Sequence, residues 1–468
     1  MLGRRRIRLL VAAVATSLVM GGAGTAWQVQ AGFNAAPAAG PASTAQWSGT
    51  IVLRNDGQAA ATVVLNFYNT AGTLVKSYNV PTAVPAKGTV QVDTEGIPEL
   101  PAGFLGSAVV SANQPVSATW LGYDVTNPAV NRTLYNGFTE GASLVYVPSI
   151  SNGYNDQTST LAVQNSENSP TNITIRFFER FTGAQTAAVT DTLTPNTAHY
   201  YDMNALPGGQ TLPAPWTGDA LVESGTSKVV AAVHQPRLSG MGASMFEGVT
   251  VAGTTAFFPS VAYQAGDRRM TTFVSVQNAT TASTTVDVVF YNANGTTAGS
   301  ARGTLGGYQK QSFSAAAGGV PAGWTGTAVV KASSAVAAVA NTNGVELSSA
   351  YAGPSTATLR GSLPFVRWAA AGDAKGLRTS IEVMNTDPAG PADITVRFYD
   401  QNGTLLQAPA FRAVPSYGKV TTDPGTFIGD GTFQGTVEVE GTRPVVATVI
   451  AAAVDGSMTE AYTSQPIP

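Results

Sequence analysis

The chain has 468 residues, of which only 11% are charged, with a formal net charge of −3 and no cysteine. Charge this sparse excludes both a basic nucleic-acid-binding surface and an acidic solvating tail. The missing thiol excludes thiol catalysis, thiolate metal sites, redox switching and disulfide staples. Ala, Gly, Thr, Ser and Val dominate instead, a composition in which β-branched residues favour strands while Gly and Pro mark turns.

Arg4, Arg5, Arg6 and Arg8 precede an apolar run from Leu9 to Met20, and Gly24-Thr25-Ala26 offers a cleavage site. Residues 1–26 therefore read as a signal peptide or N-terminal anchor, and the chain as a bacterial protein exported to the cell surface or the medium. If retained, that segment is the expected membrane contact, since no other stretch approaches the ~20 apolar residues of a span. Residues 27–46 are rich in Ala, Pro and Gly and are expected to be a linker.

From Trp47 onward the chain repeats one core. Its copy from Thr271 to Gly295 has a short apolar run ending in Asn, a small polar turn, an alternating run ending in two aromatics, and a closing Gly. The Asn anchors are Asn55, Asn165, Asn278 and Asn385, spaced 110, 113 and 107 residues apart. The aromatic pairs are Phe67-Tyr68, Phe177-Phe178, Phe290-Tyr291 and Phe398-Tyr399, and the closing glycines are Gly72, Gly183, Gly295 and Gly403. Such a period implies four modules, 47–138, 139–249, 250–354 and 355–468. In the alternating runs Phe67, Phe177, Phe290 and Phe398 share the core face, while Tyr68 and its counterparts face solvent or a neighbouring module. Asn and Gly at the loops should turn hairpins.

Each module then carries an aromatic two residues before a Gly (Phe104, Trp216, Trp324, Phe433), further short strands, and a final aromatic at Tyr135, Phe246, Tyr351 or Tyr462. About seven short strands per module with little helix predict an all-β fold: four tandem immunoglobulin-like antiparallel β-sandwich modules after the N-terminal signal segment. Proline-containing runs at Pro148, Pro259 and Pro364 should be edge strands opening modules two, three and four. Module one lacks one, which leaves either a shorter end module or an open edge for self-association by β-augmentation.

The run Thr50 to Asn69, TIVLRNDGQAAATVVLNFYN, with its counterparts, resembles the bacterial cell-adhesion-related domains known as CARDB and similar modules of exported proteins. That resemblance implies an immunoglobulin-like sandwich in a surface or secreted protein, with no transferable active-site residues.

Chemistry is hard to find. The two histidines, His199 and His234, both fall in module two and do not recur in the others. A triad or His-based metal site needs converging partners. The G-x-S-x-G elbow is absent, and the sparse carboxylates do not recur in apolar surroundings. Asp400, Asn402 and Gly403 form a fragment of a calcium loop without its bidentate Glu, and Asp156, Glu167 and Asp267 read as turn or surface groups. No catalytic, cofactor-binding or metal residue is assigned, and no cofactor is expected. Tyr200, Tyr201 and Trp368, near strand ends, are the candidate binding aromatics, able to stack on sugars or anchor a protein contact. The expected function is a non-enzymatic surface scaffold or adhesin-like stalk, its rigid modules spacing a terminus from the cell. Its partner would be a surface or matrix protein or a glycan, with no nucleic acid. The alternative is a secreted carbohydrate-binding protein.

Overall fold

The computed structural model describes residues 27–32, 47–101, 103–125, 131–429 and 431–467. The expected signal segment 1–26 and the stretch 33–46 lie outside them. The described chain is nearly all strand, with a single α-helical turn, Gly425–Ile428. No helix among the described residues is long and apolar enough to cross a membrane.

Module two displays the plan. One sheet runs from the leading strand Leu144–Tyr154 through Trp216–Glu223 and Thr171–Glu179 to Gln185–Leu193, with the short strand Gln157–Thr158 on its outer side. The facing sheet runs Ala198–Asp202, Thr160–Asn165, Val229–Pro236 and Ala243–Glu247. Numbering the longer strands along the chain, second pairs with fifth and third with sixth, as in immunoglobulin domains. The first and seventh have exchanged sheets relative to that order, so the outer strands depart from an immunoglobulin-like topology. In modules three and four the sixth and seventh strands fuse into the 21-residue strands Trp324–Gly344 and Phe433–Ala453, each crossing between layers. Turns interrupt the equivalent path in modules one and two.

The repeated residues have repeated jobs. Asn278 is fully buried; its amide donates to the carbonyls of Ala282 and Gly306, and its oxygen accepts the Thr280 N–H. Asn55, Asn165 and Asn385 make the same clamp. It satisfies backbone groups of two loops at once, which a buried turn cannot leave unpaired. Asn278→Ala is expected to cost about 2–3 kcal/mol in urea denaturation, since carbonyls are left without donors. At Gly106, Gly218, Gly326 and Gly435 an added Cβ would lie 1.9, 2.0, 2.2 and 2.0 Å from the carbonyl oxygens of Tyr68, Phe178, Tyr291 and Tyr399. That close approach explains the aromatic-x-Gly spacing.

The prolines sit at bulges. The leading strand slips register around Pro259 between Phe258 and Val261, and around Pro364 between Leu363 and Val366. Ser260 and Phe365, left unpaired by the ladder, are taken by the module's final tyrosine. Tyr351 Oη donates to Ser260 O and accepts its N–H, and Tyr462 Oη does the same at Phe365. A proline is therefore tolerated inside the sheet because a side chain replaces the lost ladder bonds.

Module one obtains its leading strand from the segment expected to be linker. Trp27–Gly32 pairs antiparallel with Gly106–Ala112, from Trp27 opposite Ala112 to Gly32 opposite Ser107. The linker expectation is thus corrected for 27–32, and the edge anticipated as open is covered by the chain's own backbone.

The modules close into a ring. Each hairpin after the aromatic strand docks on a turn of the next module. Lys419 N–H donates to Ala293 O at 2.9 Å, and Thr89 N–H to Gln401 O at 3.0 Å, the latter joining module four back to module one. A hydroxyl beside each aromatic-x-Gly reinforces three seams. Ser107 donates to Asn196 O, Thr327 to Tyr417 O and Thr436 to Lys87 O, at 2.5, 2.7 and 2.9 Å. Every acceptor is a positive-φ residue at a turn. The second aromatics of the pairs serve the same seams: Phe178 meets Tyr308 at 5.2 Å, Tyr291 meets Tyr417 at 4.8 Å, and Arg54 lies 5.9 Å over Tyr399.

At the centre, the strands Arg132–Asn136, Ala243–Glu247, Leu347–Ala352 and Thr459–Thr463 contact one another in cyclic order. Each lends a residue to the preceding core: Leu134 to module four, Met245 to module one, Ala350 to module two and Ala461 to module three. The stalk expectation is corrected here, because module four packs on module one as closely as consecutive modules do. Thr327→Val removes one seam hydroxyl and should cost about 1 kcal/mol. The exposed Thr285→Val in the same module should stay within about 0.5 kcal/mol of the parent in the same denaturation assay.

Candidate functional site

The residues singled out in the sequence fall in different places. Tyr201 is 1% exposed and its hydroxyl donates to Asp191 Oδ2 at 2.8 Å. Tyr200 reaches module one, donating to Gly106 O at 2.5 Å. Neither ring offers a platform, which corrects their reading as binding aromatics: Tyr201 packs in the core of module two and Tyr200 in the seam with module one. His199 belongs to that seam too, with Nδ1 2.7 Å from Asp191 Oδ2 and Nε2 2.9 Å from Thr70 O. His234 is buried edge-on against Trp47 at 4.5 Å, and burial pulls its pKa down to about 3. Asp156 accepts from Ser239 and Glu167 from Lys228 N–H, each tying together two loops distant in the chain, while Asp400 accepts from the N–H groups of Asn402 and Thr404 and holds a local turn.

The axis has a polar core that sequence reasoning missed. Glu247, buried on module two's central strand, accepts the Asn136 N–H of module one at 2.6 Å and the Ala352 N–H of module three. Burial raises its pKa against the pull of those N–H groups. Asn136 donates in turn to Thr463 O of module four at 2.6 Å, so this layer ties all four modules together. A pocket of about 340 Å³ opens beside it, lined by the matching loops 136–142, 247–251, 352–356 and 463–466. Alignment of the final strands carries the only sequence signal for it.

Trp368 lies elsewhere, in a cleft of about 750 Å³ between modules one and four. It ends the leading strand Thr358–Trp368, so the fold sets it at the mouth of the sandwich. Its ring carries the Arg378 guanidinium at 4.5 Å and abuts Gly425, leaving its rim rather than a bare face to the cleft. Across from it module one contributes Tyr123 and Arg132, and module four adds Arg367, Gln401 and Gln434. Burial pushes the Tyr123 phenol up to about 12 and pulls the Arg367 guanidinium down to about 10. The cleft is thus a half-enclosed site rich in hydrogen-bond donors with a neutral phenol, suited to holding a polar ligand.

A model of one protein family matches residues 149–412, more than half of the chain and most of modules two to four. The chain belongs to DUF5719, a family of unknown function. The family match replaces the cell-adhesion-related resemblance, of which the all-β repeat character remains. No functionally curated protein matches this DUF5719 chain. Among solved structures it is similar to Thermotoga maritima 1070, at 15% identity and a TM-score of 0.18, over 24% of this chain and 96% of that one. It is also similar to the BSP domain of a biofilm-associated protein, at 10% identity and a TM-score of 0.17, over 99% and 97% of the two chains. Likenesses this slight carry no argument about what DUF5719 does.

Proposed function

We propose that the chain is an exported, non-enzymatic surface scaffold that makes protein or matrix contacts from a rigid ring. Cyclic closure carries the reading: repeated polar and aromatic residues are spent on clamps and seams, which leaves the loops around the axis and the cleft as surfaces to offer a partner. A ring holds those loops in fixed relative positions, so several weak contacts reinforce one another. The glycan-contact alternative is favoured by the cleft at Trp368, which adds amides and guanidinium groups to an aromatic rim.

Export is tested by expressing the chain with its own residues 1–26 in a bacterial host and treating intact cells with protease. Cleavage by external protease, or recovery from the medium, is expected; full protection in the cytoplasmic fraction would overturn the surface assignment. The contact role is tested by passing the purified chain over immobilised cell-wall and matrix preparations. Retention lost on heating past the unfolding transition is expected, whereas no retention on any preparation would overturn it.

A further inference from the structure

We propose that the cleft between modules one and four binds a carboxylate-bearing sugar unit, with its acid group on Arg367 and its hydroxyls on Gln401, Gln434 and Tyr123. This inference rests on the glycan-contact reading.

Arg367 is the reason for an anion. It is half-buried on the cleft wall, donates to Gln91 of module one, and lies 5.2 Å over the Phe365 ring. Among the described residues no carboxylate pairs with it, and burial is what lowers its pKa. Other half-buried arginines are neutralised, Arg360 and Arg397 by Glu438 and Arg443 by Asp387, while Arg237 and Arg378 donate to the backbone carbonyls of Gly344 and Ala369. Among the described residues the Arg367 guanidinium has neither a carboxylate nor a carbonyl, only the Gln91 amide and the Phe365 ring. A cation withdrawn from water without a counter-ion is costly, so a ligand carboxylate supplies what the fold withholds. Arg132 also lines the cleft, but its charge already faces Glu460 and Asp373, so the acid group is assigned to Arg367. The fork geometry of arginine suits a planar two-oxygen acid.

The amides are the reason for a sugar. Gln401 and Gln434 both donate and accept, matching ring hydroxyls that do the same, and Tyr123 remains a neutral phenol at any physiological pH. The volume of about 750 Å³ accommodates a short oligosaccharide.

The test is calorimetric titration of the purified chain with trigalacturonate, maltotriose and a triglutamate peptide. Expected is saturable binding of trigalacturonate alone, weakened at least tenfold by Arg367→Gln and less by Arg367→Lys, which keeps the charge without the fork. Arg302→Gln, whose exposed partner Asp287 lies in module three, should bind as the parent does. Thermal unfolding of each variant verifies the fold; if Arg367→Gln is unstable, Gln434→Ala with Arg367→Lys provides the comparison. Undiminished binding by the Arg367 variants overturns the site, and equal binding of triglutamate overturns the sugar. Binding of maltotriose without trigalacturonate overturns the acid but leaves the glycan reading standing, whereas binding of neither sugar removes both and leaves the scaffold.

Discussion

Glu438→Gln is expected to destabilise the ring by about 3–5 kcal/mol, because removing one partner strands buried opposite charges. Glu438, 3% exposed on module four, faces cations from both sides of the closing seam. From module one come Arg54 at 3.3 Å and Lys87 at 3.7 Å; from its own module come Arg360 at 2.7 Å and Arg397 at 3.8 Å. Arg54 is fully buried and also pairs with Asp56. Burial works to raise the Glu438 pKa, but the Arg360 hydrogen bond and the charges of Arg54 and Lys87 outweigh it, and the carboxyl ends below its ordinary range. A depressed pKa means that the folded state binds fewer protons than the unfolded one. Its contribution is therefore complete above about pH 4.3 and fades as pH falls through the lower folded value. Asp56 is pushed the other way by burial, so the substitution, not acid alone, isolates Glu438. Urea denaturation gives the energy and small-angle scattering the geometry: the variant should show a larger radius of gyration as the seam between modules four and one loosens. A loss below about 1 kcal/mol, the size of an exposed pair such as Arg302–Asp287, would mean that ring closure does not depend on this cluster.

The module core was legible because its signals are local. An alternating run such as Val286, Val288, Phe290 assigns a face without tertiary information, and Asn278 with its turn lies within one short stretch. The aromatic-x-Gly spacing was visible as a pattern, although its cause, a neighbouring strand's carbonyl that leaves no room for a Cβ, lies in the tertiary fold. What could not be read was partnership at long range. Tyr291 looks half-exposed in sequence, and only the fold brings Tyr417 over it, more than a hundred residues on. Trp27–Gly32 belongs to no repeat and reads as linker, yet it pairs with Gly106–Ala112. Ring closure has no local signature, since Arg54 and Glu438 are ordinary charges until the last module meets the first. For the candidate site, Trp368 was picked out by type, but Arg367 beside it gains meaning only from the cleft and from lacking a carboxylate partner.

The second large effect is expected where one seam breaks the pattern of the others. Ser107, Thr327 and Thr436 each donate a hydroxyl to a turn carbonyl of the next module. The equivalent residue between modules two and three is Asp219, fully buried near Lys310, itself 3% exposed. Burial drives the Asp219 carboxyl well up against the charge of Lys310, and pulls Lys310 down to about 8 against that of Asp219. At the seam between modules four and one the same two positions hold Thr436 and Thr89, without any charge. Asp219→Ala should therefore cost about 3–5 kcal/mol by leaving Lys310 buried alone, whereas Asp219→Thr with Lys310→Thr should be neutral or stabilising, since desolvation of both ions is removed together. Their coupling is the discriminating quantity. The pH signs follow from the same burial. Asp219, raised, makes the parent lose stability as pH climbs from about 3.9, because the fold holds a proton that the unfolded chain releases. Lys310, lowered, makes stability rise between about pH 8 and 10.4, where the unfolded chain binds the extra proton. The double variant should lose both slopes. If its denaturation midpoint instead falls as far as that of Asp219→Ala, the pair is bound by more than mutual compensation, and the hydroxyl latch of the other seams is not a working substitute.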